Sequence, residues 1–198
     1  MEPAERREQI LIHAARLFAE RGYHSTSVAD IIAAAGIARG TFYLYFESKR
    51  AIFEELLDRL MTRLASCIRR VDVSDGAPPP GEQLLCTMAR VFDVFAADRT
   101  MLAILLSGAV GLDKGFDDKL AEFYGRVALV VERSLELGEE LGIVRPCNRR
   151  VVARAAIGAL KEVLATMLED GDASCAELAR GILDLFSRGV LVEGASIA

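Results

Sequence analysis

The sequence contains few of the residues from which metal sites and disulfides are built. Its 198 residues include two histidines, His13 and His24, and four cysteines that lie far apart and form no CxxC pair. We therefore expect free thiols, no disulfide framework, no metal site and no bound cofactor. With only two histidines, we assign no histidine-based metal site and no catalytic triad.

Long apolar runs are also absent. The longest, about residues 101–112, contains two glycines and falls short of the roughly 20 residues that a transmembrane helix needs. The first ten residues carry charges where a signal peptide needs an apolar core. We therefore predict a soluble, cytoplasmic protein with no membrane partner.

The enzyme motifs that a helical protein of this size would show are missing as well. The sequence has no HExxH, GxSxG or P-loop pattern, and it lacks the Glu-x-x-His repeats of helical-bundle metalloenzymes. We therefore predict that the chain is not an enzyme and that it has no catalytic residues.

The acidic net charge does not exclude a nucleic-acid partner, because the charge is unevenly distributed. The whole chain carries −5, whereas residues 1–50 hold seven Lys/Arg against six Asp/Glu, which leaves about −6 for the rest. Phosphate binding depends on the local arrangement of cations and not on the total charge.

Apolar residues recur at helical spacing, and strand patterns are nearly absent, so the sequence predicts an all-α fold. Ile10, Ala14, Leu17 and Phe18 mark the apolar face of a first helix that ends near Gly22. A fourth helix runs from a Ser48 cap to about residue 70, and a proline-rich linker follows at 72–81. Further helices are predicted at 82–97, 100–110, 117–141, 148–169 and 174–193.

Residues 25–49 have the parts of a helix-turn-helix. Ser27 and Asp30 are spaced as a capping box for a short helix over 28–35, and Gly36 ends it. A second short helix follows from about residue 38 to 44. Its small N-terminal residues allow it to enter the DNA major groove, which is about 12 Å wide.

This window, STSVADIIAAAGIARGTFYLYFESK, resembles the DNA-binding signature of the TetR family of transcriptional regulators. The matching positions are Thr26, Ser27, Val28, Ile31, Ala35, Gly36, Ile37, Gly40, Phe42, Tyr43, Tyr45, Phe46, Ser48 and Lys49. The preceding ILIHAARLFAERGY is similar to the family's first helix. The resemblance implies an N-terminal three-helix helix-turn-helix domain at 1–47 and a helical ligand-binding and dimerisation domain at 48–198. It also implies a repressor that binds a palindromic operator as a homodimer and leaves it when a small molecule binds.

Within this frame, residue chemistry suggests how DNA is contacted. Arg39 is expected to pair with a guanine, flanked by Thr41 and Leu44, and tyrosine and lysine side chains are expected to reach phosphates. The predicted DNA-binding residues are Thr26, Ser27, Ala38, Arg39, Gly40, Thr41, Tyr43, Leu44, Tyr45 and Lys49. Phe42 and Phe46 are expected in the core. Two positions depart from the family pattern: Ala38 provides no side-chain cap, and Leu44 offers an apolar contact, such as one to a thymine methyl group.

The later helices carry the remaining expectations. Small residues in 148–169 and an apolar face in 174–193 predict a four-helix homodimer interface, and the alternative is that both helices are internal core. We expect an unidentified and largely apolar effector. The residues predicted to contact it are Met88, Phe92, Phe95, Met101, Leu105, Phe123, Tyr124 and Val127.

The sequence gives less support to three other functions. A helical small-molecule-binding protein or enzyme lacks support from any motif. A DNA-binding protein without regulation does not account for the long region after residue 50. A scaffold or carrier would not need Arg39, Tyr43 or Lys49 for DNA affinity.

Overall fold

The chain folds into α-helices, as predicted. The computed structural model describes residues 2–106, 114–169 and 174–191. Within these ranges the secondary structure consists of nine helices and a single β-bridge. The helices are α1 (Pro3–Arg21), α2 (Val28–Ala35), α3 (Arg39–Tyr45), α4 (Lys49–Cys67), α5 (Pro80–Ala96), α6 (Arg99–Leu106), α7 (Lys114–Glu140), α8 (Arg149–Glu169) and α9 (Cys175–Val190). None of them is long and apolar enough to cross a membrane.

The predicted helix boundaries agree with the observed ones to within a few residues. The differences reach three residues, for example at the end of α4 and at the start of α7. After the linker, α5 begins at Pro80, two residues before the predicted start. Proline is accepted there because the first residues of a helix need no N–H donor within the helix. The C-terminal part of the helix predicted at 100–110 lies outside the described residues.

The chain divides into two compact units. The first comprises residues 1–62 and 98–123, and the second comprises 63–97 and 124–198. The first unit therefore contains α1, α2 and α3, most of α4, α6 and the start of α7. The division we predicted at 47/48 remains a separate proposal about which residues form the DNA-binding domain.

An aromatic cluster forms part of the core of the first unit. Tyr23, which follows α1, stacks on Phe116 of α7, with ring centroids 4.6 Å apart. Phe53 of α4 also stacks on Phe116, at 4.5 Å, and lies 5.2 Å from Tyr23, so the three rings are in mutual contact. All three rings are buried. Aromatic pairs of this kind each contribute about 0.5–1.5 kcal/mol beyond their buried area. The start of α7 is thus fixed to the helices that carry the helix-turn-helix.

In the second unit, α9 packs against α5 and α8. Its C-terminal end is fixed by the loop after α7, where the Arg145 N–H donates to the Val190 carbonyl at 2.9 Å. The same loop buries Val144 against Leu191. A Cβ on Gly138 would lie 2.5 Å from Val144 Cγ2, so this close approach requires glycine.

Candidate nucleic-acid interface

The turn between α2 and α3 has the geometry that its sequence predicts. Ser27 Oγ accepts a hydrogen bond from the Asp30 N–H at 3.1 Å, and the Asp30 carboxylate accepts one from the Ser27 N–H at 2.8 Å. The Ser27 hydroxyl and, to a smaller extent, the Ser27 N–H both donate to the Asp30 carboxylate and hold its pKa below its usual value. Gly36 ends α2 in the left-handed conformation, with φ of 63°, which a residue with a Cβ rarely adopts. The predicted capping box and glycine turn are therefore confirmed.

Helix α2 is anchored by its apolar face. Ile31 and Ala35 are buried, as expected for residues that pack on α1. Ile37, in the turn, is half-buried. The short helix thus has a fixed base from which the chain turns into α3.

Helix α3 separates buried and exposed side chains sharply. Phe42 and the following Phe46 are buried, which confirms their predicted place in the core. Arg39, Gly40, Tyr43 and Leu44 are exposed, and Leu44 and Tyr43 keep 82% and 48% of their surface in contact with solvent. The two phenylalanines hold the helix in place while its other face remains open to a partner.

The remaining predicted contacts of α3 are placed at its edges. Ala38 is the exposed N-cap and makes no side-chain cap hydrogen bond, as expected. Thr41 and Tyr45 are half-buried. The Arg39 guanidinium lies 5.9 Å from the Tyr43 ring centroid, which places a cation beside a phenol on the exposed face. An exposed arginine near the N-terminus of the second helix is what base reading by a helix-turn-helix requires.

The structure corrects the role that we expected for Thr26. Its side chain is only 1% exposed, and the hydroxyl donates to the Gly22 carbonyl at 2.9 Å. The hydroxyl therefore ties the turn after α1 together and is not available to a phosphate. Ser27 is exposed, but its hydroxyl is already engaged with Asp30 in the capping box.

Lys49, at the start of α4, has an internal role that we did not expect. Its ammonium donates to the Tyr23 carbonyl at 2.8 Å, to the Thr26 carbonyl at 2.9 Å and to the His24 carbonyl at 3.4 Å. It also lies 4.3 Å from the Tyr23 ring centroid. The ammonium therefore caps the turn between α1 and α2. A phosphate contact by Lys49 remains a prediction, and the three carbonyls would compete with a phosphate for its ammonium.

Two side chains of α1 complete the frame of the helix-turn-helix, and sequence reasoning missed both. Arg7 donates to the carbonyl of Tyr45, the last residue of α3, at 2.8 Å. Gln9 donates to the carbonyl of Ala35, the last residue of α2, at 3.0 Å. Polar side chains on the first turns of an amphipathic helix give no sequence signal that distinguishes them from solvated surface.

The residues predicted to contact an effector are divided between the two units. Five belong to the second unit, in which Phe92 and Phe95 are buried and Met88, Tyr124 and Val127 are half-buried. Met101, Leu105 and Phe123 belong to the first unit, and all three are buried there. Their joint role as an effector site therefore remains a prediction.

A surface groove lies elsewhere and has a different chemistry. It occupies about 440 Å³ along α4 and is lined by Ala51, Glu54, Glu55, Asp58, Arg59 and Thr62. Its charged lining does not suit the apolar effector that we predicted.

Tyr124 is the predicted effector residue with a perturbed hydroxyl. Burial raises its pKa to about 12, so the phenol is neutral over the ordinary pH range. The Lys161 ammonium of α8 lies 5.5 Å from its ring centroid. The second unit thus places the exposed Lys161 ammonium near the ring of the half-buried Tyr124.

Taken together, a capped α2, a glycine turn and an α3 with an exposed reading face define a helix-turn-helix DNA-binding protein. Residues 10–56 match the family of bacterial regulatory proteins described as the tetR family. The transcriptional regulator YdgC of Bacillus subtilis is 27% identical over 195 residues, which cover 96% of this chain and 95% of YdgC. The transcriptional repressor BepR of Brucella suis is 26% identical over 154 residues, which cover 75% of this chain and 69% of BepR.

The likeness extends to solved structures. The fatty acid degradation regulator FadR of Bacillus halodurans aligns with a TM-score of 0.77 and 25% identity, covering 96% of this chain and 97% of FadR. Residues 10–56 thus match the tetR family, and over nearly its whole length the chain is similar to DNA-binding transcriptional regulators. Regulators of this family bind operator DNA and small-molecule effectors, and these relatives are regulators, not enzymes.

Proposed function

We propose that this regulator represses transcription by binding a two-fold symmetric operator as a homodimer, and that a small molecule releases it. The observation that carries the proposal is the division of α3 into a buried anchor and an exposed reading face. Phe42 and Phe46 hold the helix, and Arg39, Tyr43 and Leu44 point away from the core. The bacterial cytoplasm, where operator DNA lies, is the proposed location.

On DNA, Arg39 is the proposed base-reading residue. A guanidinium pairs bidentately with O6 and N7 of guanine in the major groove, and each such pair discriminates by about 1–3 kcal/mol. Ala38 and Gly40 leave room for the helix N-terminus to approach the bases, and Thr41 and Leu44 flank the contact. Tyr43, Tyr45 and Ser27 are the proposed partners of phosphate oxygens, which position the helix without reading sequence.

The proposed homodimer interface lies on α8 and α9. Val151, Ala155 and Gly158 share one face of α8 by helical spacing and are all exposed, with Val151 60% exposed. On α9, Leu185 is 66% exposed and stands between the exposed Gly181 and Gly189. Exposed apolar and small residues on two neighbouring helices suit a partner helix at close range. Ala153 of α8 and Ile182 of α9 are buried within the chain itself and lie outside the proposed interface.

The proposed effector is largely apolar with a polar group at one end. In the second unit the predicted residues are apolar apart from the half-buried Tyr124, whose hydroxyl, with the Lys161 ammonium near its ring, provides orienting polar atoms. The relative from Bacillus halodurans is a regulator of fatty acid degradation, which agrees with a ligand of this character.

The proposed mechanism is a shift between two populations. The effector favours a state in which the two recognition helices no longer match half-sites about 34 Å apart along the DNA. A coupling free energy of about 1–3 kcal/mol lowers operator affinity by roughly 5–150-fold. Helix α4 belongs to both units, its residues after Thr62 lying in the second, so it is the proposed lever.

The first experiment uses the duplex that the wild-type chain enriches from a random-sequence library. Arg39→Ala should weaken binding to that duplex by about 5–150-fold and relax base preference at one or two positions in each half-site. The matched control is Arg133→Ala, which removes the same charge from α7, where Arg133 pairs with Glu136. Equal effects of the two substitutions, or unchanged base preference in Arg39→Ala, would contradict the proposal.

A further inference from the structure

Arg7 of α1 contacts both the recognition helix and α4. Its Nη1 donates to the Tyr45 carbonyl at 2.8 Å, and its Nη2 pairs with the Glu55 carboxylate. Its Cζ lies 4.3 Å from the centroid of the buried Phe46 ring. One guanidinium therefore joins α1, the C-terminal end of α3 and α4.

The Tyr45 carbonyl needs a hydrogen-bond donor from outside α3. Tyr45 is the last residue of α3, and the carbonyls of the last helical turn receive no hydrogen bond from an N–H of the same helix. A cation at this position also interacts favourably with the negative, C-terminal end of the helix dipole. Helix α3 has only seven residues, so tertiary contacts and not helix propensity must hold it.

The α4 end of this contact belongs to a charged network. Glu55 also pairs with Arg59 at 2.9 Å, and Arg59 reaches Glu8 of α1 at 2.6 Å. Arg59 shares the carboxylate with Arg7, but the contacts described for it involve only α1 and α4. The two arginines thus differ in one respect: Arg7 also contacts α3.

We propose that Arg7 is a positioning residue for operator reading, which sets the angle of the recognition helix against α1 and α4 without touching DNA itself. The planar fork of arginine is suited to this role because separate N–H groups serve the carbonyl and the carboxylate while the ring of Phe46 packs against its face. Gln9 does the same for α2 through the Ala35 carbonyl. The inference rests on the proposed function, because it assumes that α3 reads bases.

The test compares affinity for the enriched duplex with affinity for a pool of random duplexes. Arg7→Gln should lower the ratio of the two affinities by about tenfold, since a misaligned helix loses base contacts but keeps nonspecific attraction. Arg59→Gln removes the same charge from the same network and should change the ratio by less than about twofold. Arg7→Lys keeps a cation near Glu55 without the fork and should lie between wild type and Arg7→Gln.

The salt dependence of binding and thermal unfolding separate this role from others. A positioning role leaves the slope of affinity against salt unchanged, whereas loss of a direct phosphate contact reduces it by about one. If Arg7→Gln is unfolded, the folded Arg7→Lys variant carries the same test. A smaller salt slope, an equal loss on both kinds of duplex, or equal effects of Arg7→Gln and Arg59→Gln would overturn the inference. A wild-type chain that enriches no sequence would overturn the proposed function, and this inference with it.

Discussion

Leu44 offers a direct chemical test of how the recognition helix reads DNA. Its side chain is 82% exposed on α3, where a large apolar residue adds nothing to the core of the chain. Leu44→Ala should therefore leave the free energy of unfolding nearly unchanged, because leucine and alanine are both strong helix formers. Any effect on DNA binding then belongs to the interface.

The size of that effect follows from the area that the contact removes from water. If Leu44 packs on a thymine, the 5-methyl group of that base is buried against it. Burying one methyl or methylene group contributes about 0.8 kcal/mol, which corresponds to about a fourfold change in Kd. Replacing that thymine with uracil removes only the methyl group and leaves base pairing intact.

The assay is a binding titration with the enriched duplex and with duplexes carrying uracil at single thymines. One uracil position per half-site should weaken wild-type binding by about fourfold, and the same duplex should bind Leu44→Ala as well as the thymine duplex does. Ile12→Ala is the matched control, because it removes another exposed apolar residue, from α1; it should keep the wild-type sensitivity to uracil. Undiminished uracil sensitivity in Leu44→Ala, or none in the wild type, would refute the reasoning.

Three further predictions concern the frame that holds this helix and the second unit. Lys49→Met should lower the free energy of unfolding by about 1.5–3 kcal/mol, because carbonyls of the turn before α2 lose a charged donor. A smaller slope of DNA affinity against salt, with unchanged thermal stability, would instead identify Lys49 as a phosphate ligand. Gly138→Ala should destabilise the chain by about 1–3 kcal/mol in chemical denaturation, because the new methyl group clashes with the stiff Val144 side chain. The control is Gly125→Ala on the same helix, where the methyl group meets open space and the substitution should be neutral or stabilising. The free energy of unfolding should fall as pH rises above about 10, because an unfolded tyrosine then loses its proton while Tyr124 in the folded chain keeps it until about 12. Tyr124→Phe should reduce this loss of stability. The same pH dependence in the variant and the wild type would contradict the raised pKa of Tyr124.

The helix-turn-helix was predictable because its constraints are local. Ser27 and Asp30 lie one helical turn apart, so their capping box depends only on sequence spacing. Gly36 ends α2 because few other residues adopt its backbone conformation. The apolar spacing of Phe42 and Phe46 likewise placed them in the core.

The roles that the sequence concealed depend on contacts between distant residues. Thr26 has the hydroxyl of a phosphate ligand, yet folding buries it against the end of α1. Lys49 has the charge of one, but the turn around Tyr23 brings three carbonyls within reach of its ammonium. Arg7 lies 38 residues from the carbonyl that it contacts. Such pairs leave no periodic pattern in the sequence.

The effector site was the least predictable part. Aromatic and methionine side chains at helical spacing mark core and ligand pockets alike, so Phe92 and Phe95 carry the same signal in either role. Their burial within the second unit is consistent with both.

Native mass spectrometry of the chain with the duplex that it enriches tests the central claim most directly. Two-fold reading by α3 predicts an enriched inverted repeat whose half-sites lie about one DNA turn apart, bound by two chains of 21.5 kDa each. Arg39→Ala should shift the population toward unbound duplex. One chain on an asymmetric site, or a complex that forms equally well on random duplexes, would contradict it.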